Sequence, residues 1–169
     1  DFETFDVMRK SQFLIWDLPL LESYWQDLQE GKAQGRNLVM EKYAYMMEST
    51  APKEYEAIAT GLPKISEEKQ AMVEQIVAIQ VGWREEFAEK YPHLSGQARI
   101  IHTSEDTLYD ISFETYLRGE LKTYSMQTLV LYGRRIVAFV QEQKNMTEEI
   151  MRYTTAFYGY KTLEDAEIK

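Results

Sequence analysis

The sequence predicts an all-α fold, a single-domain bundle of five to six main helices with one long loop at about residues 91–110. Three observations predict it. Apolar residues recur at spacings of three and four along nearly the whole chain, which is the period of an amphipathic helix. No segment alternates between apolar and polar residues cleanly enough for a half-buried strand. Prolines, glycines and N-cap residue types divide the chain into segments of helical length.

Proline and glycine divide the first half of the chain into four helical segments. Asp17 and Leu18 break the pattern, and Pro19 suits the first turn of a new helix. Gly31 is the expected C-terminal cap of that helix. The predicted helices are residues 2–16, 19–30, 36–48 and 52–59; residues 1–18 are interpreted as a loosely packed N-terminal segment of one domain spanning residues 1–169.

Serine residues mark helix starts in the second half of the chain. Ser66 precedes Glu67 and Glu68, and the helix dipole favours acidic residues in a first turn. The helix that follows runs to about residue 90, where a proline stops it. Serines also precede the next two helices, beyond the long loop. The predicted helices are residues 66–90, 113–124, 126–144 and 147–158.

Residues 36–48 form the most informative of these segments. At about 100° per residue, apolar side chains surround most of its circumference: Leu38, Val39, Met40, Tyr43, Tyr45, Met46 and Met47. A helix that is apolar all round is usually packed by others on several sides, so we expect it at the centre of the bundle. Asn37, Glu41 and Glu48 share the one polar stripe, which is either a window to water or a buried polar site.

A second candidate is Glu120, which falls inside the apolar stripe of the helix predicted at 113–124. A buried carboxylate is costly unless it is paired, so Glu120 needs an Arg, Lys, Tyr or metal partner, or a raised pKa. Glu114 lies at the edge of the same stripe, one turn from Arg118. The simplest interpretation of Glu114 and Arg118 is a surface ion pair.

Two further candidates lie outside these stripes. His102 stands beside hydroxyl and carboxylate side chains, which suits a catalytic or binding role. Its neighbours Thr103 and Asp106 also resemble a capping box for a short helical turn. Arg36 and Asn37 follow two glycines at a helix start, where an anion can bind. The alternative for that segment is an ordinary turn between helices.

Composition and charge exclude several classes of function. The formal net charge of −9 and the lack of a cluster of basic residues argue against nucleic acid and against an anionic membrane surface. The chain has no cysteine, which excludes disulfides and thiol nucleophiles, and its two histidines cannot supply a three-histidine zinc site. No apolar run is long enough to span a membrane. We therefore expect an acidic, cytoplasmic protein.

Four stretches carry a resemblance to a known family. The chain resembles a bacterial family catalogued only as a domain of unknown function, and the resemblance covers nearly all of it. It implies no activity, cofactor or site residue. The stretches are Gly-Arg-Asn-Leu with Glu-Lys-Tyr-Ala at 35–44, His-Thr-Ser-Glu-Asp-Thr at 102–107, Phe-Glu-Thr-Tyr-Leu-Arg-Gly-Glu-Leu at 113–121, and Tyr-Gly-Tyr-Lys-Thr-Leu-Glu-Asp-Ala at 158–166.

These patterns lead to three functional hypotheses. The first is a polar, carboxylate-lined pocket for a small polar molecule or a divalent cation, beside the helix at 36–48 and closed by the His102 loop and the helix bearing Glu120. The second is a non-catalytic module that binds a protein partner, or a second copy of itself, through Tyr- and Met-rich helix faces. A carboxylate-based hydrolase or transferase is a third. The ligand-binding candidates are Arg36, Asn37, Glu41, Glu48, His102, Glu114 and Glu120.

Overall fold

The computed structural model describes residues 2–168 as ten α-helices, with no strand in that range. The prediction of an all-α fold is confirmed. The predicted number of five to six main helices is too low, because eight of the ten are seven residues or longer. The helices are α1 (Phe2–Leu14), α2 (Leu18–Ala33), α3 (Leu38–Thr50), α4 (Pro52–Ile58), α5 (Glu67–Lys90), α6 (Pro92–Gly96), α7 (Phe113–Thr123), α8 (Met126–Gln141), α9 (Met146–Phe157) and α10 (Leu163–Ile168).

The segment predicted as one long loop contains secondary structure of its own. Pro92 opens α6 instead of only ending the helix before it, because its fixed φ suits a first helical turn. A 3₁₀ turn covers Thr103–Glu105. The rest of residues 97–112 is held by hydrogen bonds, including those from the backbone N–H groups of Phe113 and Glu114 to the carbonyls of Ile100 and Ile101.

Side-chain caps explain where most of the long helices begin. The side chains of Asp17, Ser66, Ser112 and Ser125 each accept a hydrogen bond from a backbone N–H in the first turn of the helix that follows. These caps confirm the predicted starts of α5, α7 and α8. Asn37 caps α3 in the same way, accepting a bond from the N–H of Met40.

The main core lies where α2, α5, α7 and α8 meet, and the residues before α2 add to it. Trp16 is its aromatic centre, with ring contacts to Tyr24, Tyr124 and Tyr132. A smaller cluster joins α10 to α5 and α6. The completely or almost completely buried apolar residues of the main core include Leu20, Val73, Val77, Leu121, Leu129 and Ile136.

Helix α3 packs against one side of α7 and is not the central helix of the bundle. Its first turns leave Val39, Met40 and Tyr43 exposed, at 64%, 68% and 47%. The prediction of a central position is therefore wrong. Counting apolar types cannot separate a covered face from an exposed one, because Met and Tyr tolerate both environments.

Gly119 allows α3 and α7 to approach each other closely. A Cβ atom at this position would lie 2.7 Å from Cγ of Met46 and 3.0 Å from the carbonyl oxygen of Lys42, both on α3. Only glycine fits such a contact between two backbones without displacing one of them. Because α3 covers α7 along this contact, it separates the remaining surface of α7 into two parts, one on each side of α3.

Within residues 2–168, no helix combines the length and the apolar composition needed to cross a membrane.

Candidate functional site

A groove of about 490 Å³ lies between α3, α5 and α7. Its walls are the C-terminal half of α3, the first turns of α5, and the face of α7 that carries Glu114, Arg118 and Lys122. Thr103, in the 3₁₀ turn, closes one end. Charged and hydroxyl groups line much of it, so its chemistry suits a polar occupant better than an apolar one.

Arg118 is the centre of the charged network in this groove. Its guanidinium donates two hydrogen bonds to Glu74, at 2.7 and 3.1 Å, and one of 2.6 Å to Glu114. A fourth bond, of 3.1 Å, reaches Oγ1 of Thr103. Burial opposes the charge, but the bonds to Glu74 and Glu114 raise the pKa of Arg118. The pKa of Glu114 is lowered because Arg118 and the N–H of Thr103 outweigh its burial.

Asp106 holds the loop to the helices beside the groove. It accepts hydrogen bonds from the hydroxyls of Ser49 on α3 and Thr115 on α7, and from the backbone N–H of Ser112. Burial raises the pKa of Asp106, but these hydrogen bonds outweigh it and lower the pKa overall. The predicted capping box of Thr103 and Asp106 is wrong, because the 3₁₀ turn has no side-chain cap and both side chains contact other elements.

Lys122 and Glu48 form a very asymmetric ion pair at the other end of the groove. The Lys122 side chain is only 6% exposed, while that of Glu48 is 59% exposed. Nζ of Lys122 lies 3.3 Å from Oε2 of Glu48 and 5.6 Å from the ring centroid of Tyr45. Within residues 2–168, no second hydrogen-bond acceptor contacts this buried ammonium group.

Of the seven residues singled out from the sequence, two line the groove, Glu48 and Glu114. Asn37 is the exposed cap of α3. Arg36 and Glu41 form a bidentate pair with each other, at 3.0 and 2.7 Å. Arg36 and Asn37 thus serve the start of α3 and contact its first turns.

His102 lies outside the groove and joins the loop to α5. Its Nε2 is 2.6 Å from Glu85, and its Nδ1 is 3.1 Å from Glu105. The hydrogen bonds to these two carboxylates raise the pKa of His102, Glu85 contributing most. The imidazole is partly exposed, and each of its two ring nitrogens contacts one carboxylate.

Glu120 is buried and paired, as its place in the apolar stripe requires. Its carboxylate lies 2.7 Å from a guanidinium nitrogen of Arg9 and 3.8 Å from the ammonium of Lys42. Burial raises the pKa of Glu120, but the two positive charges outweigh it and the pKa is lowered. Within residues 2–168, Glu41 forms an ion pair with Arg36 alone, so the two buried carboxylates share no ion-pair partner in that range.

The spacing of charged residues on α7 is a sequence signal for this groove that the apolar pattern alone does not reveal. Glu114, Arg118 and Lys122 follow one another at intervals of four on α7 and therefore share a face. Glu74, the partner of Arg118, lies in the first half of α5, and no pattern within either helix predicts that contact.

Within residues 2–168, no group of three or more His, Asp or Glu side chains is arranged to hold a metal ion. No curated protein and no solved structure gives a significant match to the chain. A family described as protein of unknown function DUF4125 matches residues 1–168. The match spans nearly the whole sequence, so the chain belongs to this family.

Proposed function

We propose that the protein binds a small polar molecule in the groove between α3, α5 and α7, through an anionic group at Lys122. The observation that carries the proposal is the Lys122–Glu48 pair. A buried ammonium needs hydrogen-bond acceptors, and here it has one, on a side chain that is mostly in water. Glu48 is exposed and can turn into solvent when an incoming anion takes its place, because the buried ammonium then keeps a hydrogen-bond acceptor.

A ligand with both an acidic and an amino group suits this pair best. Its carboxylate replaces Glu48 at Lys122, and its ammonium group gives the displaced Glu48 a new partner. The hydroxyls of Ser49 and Thr115 line the same groove and supply further polar contacts. The other groove carboxylates, Glu74 and Glu114, are already occupied by Arg118, which favours a polar organic ligand over a divalent cation.

The test is a thermal-shift screen of the protein against amino acids, dicarboxylates and divalent metal ions. A ligand that binds the native state raises the unfolding midpoint. The proposal predicts a saturable rise with an amino acid or dicarboxylate, and its loss in Lys122→Met. The matched control is Lys90→Met, which removes an exposed Lys–Glu pair of 3.1 Å between α5 and α9. A ligand response that survives Lys122→Met contradicts the proposal, as does a response to metal ions alone.

The second candidate function, partner binding without catalysis, has one observation in its favour. The first turns of α3 present Val39, Met40 and Tyr43 to solvent on a helix that packs on α7 with its other side. Light scattering distinguishes self-association from a monomer. If this face joins two copies, Met40→Glu shifts the mass to that of a monomer; an unchanged mass contradicts that role.

A further inference from the structure

Four positive side chains meet over the face of α7 that lies across α3 from the groove. They come from four elements: Arg9 on α1, Lys42 on α3, Arg84 on α5 and Arg99 in the 97–112 loop. We call this surface the cationic face. The helical spacing of Phe113, Tyr116 and Glu120 places these three side chains of α7 beneath it.

Aromatic rings of α7 hold the positive groups in place. The guanidinium carbon of Arg99 is 3.7 Å from the ring centroid of Tyr116, and Nζ of Lys42 is 4.9 Å from the same centroid. The guanidinium of Arg84 lies 4.8 Å from the ring of Phe113, one turn earlier. Such cation–π contacts orient a positive group but do not neutralise it.

Positive charge on this surface exceeds the negative charge available to it. Glu120 is paired with Arg9 and Lys42. Within residues 2–168, no carboxylate forms an ion pair with Arg84 or Arg99, and Arg99 has only a 3.5 Å contact to the carbonyl of Ile111. This imbalance is unexpected in a chain whose net charge is −9.

The pKa shifts of Arg84 and Lys42 reflect the same excess of positive charge. Burial and the charge of Arg99 lower the pKa of Arg84 to about 10. Burial also lowers the pKa of Lys42; Glu120 opposes that shift, and the charges of Arg9 and Arg99 add to it. Because Arg84 stays protonated at neutral pH, it carries a partly buried positive charge that no carboxylate within residues 2–168 pairs with.

We infer that the cationic face is a binding site for a phosphate group of a small molecule, held by Arg84, Arg99 and Lys42. A guanidinium presents parallel N–H donors that match phosphate oxygens, and a dianion offsets the repulsion among the three positive groups. The ring of Tyr43, which is 47% exposed and packs edge-on against Tyr116, adjoins the site and gives an organic part of the ligand a surface to stack on. This site is independent of the groove and of Lys122.

The probe is inorganic phosphate, titrated into the full chain by calorimetry and by thermal shift, with chloride at equal ionic strength as the reference. The site predicts saturable binding and a higher unfolding midpoint. Arg99→Gln and Arg84→Gln each weaken binding by about tenfold, the loss of one charge-assisted hydrogen-bonding group. Arg99 is exposed, so its variant reports on binding even if Arg84→Gln destabilises the fold.

The matched control is Arg134→Gln, which removes the same charge from an exposed position on α8. The proposal requires normal phosphate affinity in Arg134→Gln. Equal weakening in Arg99→Gln and Arg134→Gln would overturn it, because binding would then follow net charge alone. The absence of saturable binding would also overturn it. The positive groups would then be solvated cations that stack on the aromatic rings and bind no phosphate. Co-sedimentation with phosphatidylglycerol vesicles would overturn the assignment to a soluble ligand.

Discussion

The two sides of α7 handle charge in different ways. On the groove side, Arg118 is surrounded by Glu74 and Glu114, and every charged group that lines the wall has a partner of opposite sign. On the cationic face, Glu120 pairs with two cations, and two guanidiniums stack on rings with no carboxylate of residues 2–168 paired to them. Helix α3, packed against Gly119, separates the two sides.

The difference shows how the same residue types serve stability and binding. A charge network that is already satisfied fixes the positions of its helices and binds a ligand only by exchanging partners, as at Lys122 and Glu48. A set of cations held apart from acids is costly to keep and is relieved by an incoming anion.

Replacing Glu120 should produce the largest loss of stability. Glu120→Gln leaves Arg9 and Lys42 facing each other without a carboxylate, and removing one partner of a buried pair costs about 3 kcal/mol. The measurement is urea unfolding. Because the folded pKa of Glu120 is lowered, its contribution is present above the ordinary value of 4.5 and is lost as the pH falls through the folded pKa. The difference from the unmodified protein should therefore shrink in acid.

The control for Glu120 is Glu41→Gln, which breaks the bidentate pair with the more exposed Arg36. It should cost about 1 kcal/mol or less. Equal losses for the two variants would contradict the view that the cationic face depends on its single carboxylate.

Gly119→Ala tests the contact that separates the two sides. The added methyl group meets Met46 and the backbone of Lys42 on α3, and overpacking of this kind costs about 1–3 kcal/mol. Gly133→Ala on α8 is the control, since nothing lies within 4 Å of a Cβ there. That control should be stabilised, because alanine favours helix over glycine. A neutral Gly119→Ala in urea unfolding would show that α3 is free to move away from α7.

Removing the central cation of the groove should have an intermediate effect. Arg118→Met leaves Glu74 and Glu114 without a cation, and the expected loss is about 1–2 kcal/mol because these side chains are partly solvated. Arg118→Lys restores the charge but not the paired N–H donors, so it should recover only part of the loss. Full recovery in urea unfolding would mean that charge alone, and not the fork geometry, organises the groove.

The smallest effect should come from His102. Its folded pKa is raised above 6.5, so its contribution to stability is full below that value and is lost as the pH rises through the folded pKa. The clasp with Glu85 and Glu105 is partly exposed, so we expect less than about 1 kcal/mol. The measurement is the free energy of unfolding of His102→Gln and of the unmodified protein, at pH values below and above the folded pKa of His102. His93→Gln, at the other histidine of the chain, is the control.

The sequence predicts properties that are local to one helix better than contacts between helices. Serine caps, proline breaks and the burial of Glu120 follow from patterns within single segments, and these predictions agree with the structure. The exposed start of α3 cannot be predicted in this way, because an apolar pattern on all sides of a helix does not reveal which neighbours are present. The short helix α6 is also not evident from the sequence, because a proline can end one helix and begin the next.

The candidate sites are formed by residues that lie far apart in the sequence. Arg118 finds Glu74 at a separation of 44 residues, and Arg84 and Arg99 reach α7 from two other elements. No spacing rule connects such positions, since they meet only after the helices have packed. The one usable signal was the interval of four that joins Glu114, Arg118 and Lys122 on α7.

The most direct test of the contrast between the two sides is an NMR titration with inorganic phosphate that follows the side-chain Nε–Hε groups of the arginines. We predict saturable shifts for Arg84 and Arg99, while the signal of Arg118, which is held by Glu74 and Glu114, does not move. If Arg118 shifts with them, or if neither Arg84 nor Arg99 shifts, the two sides of α7 do not differ in the way described.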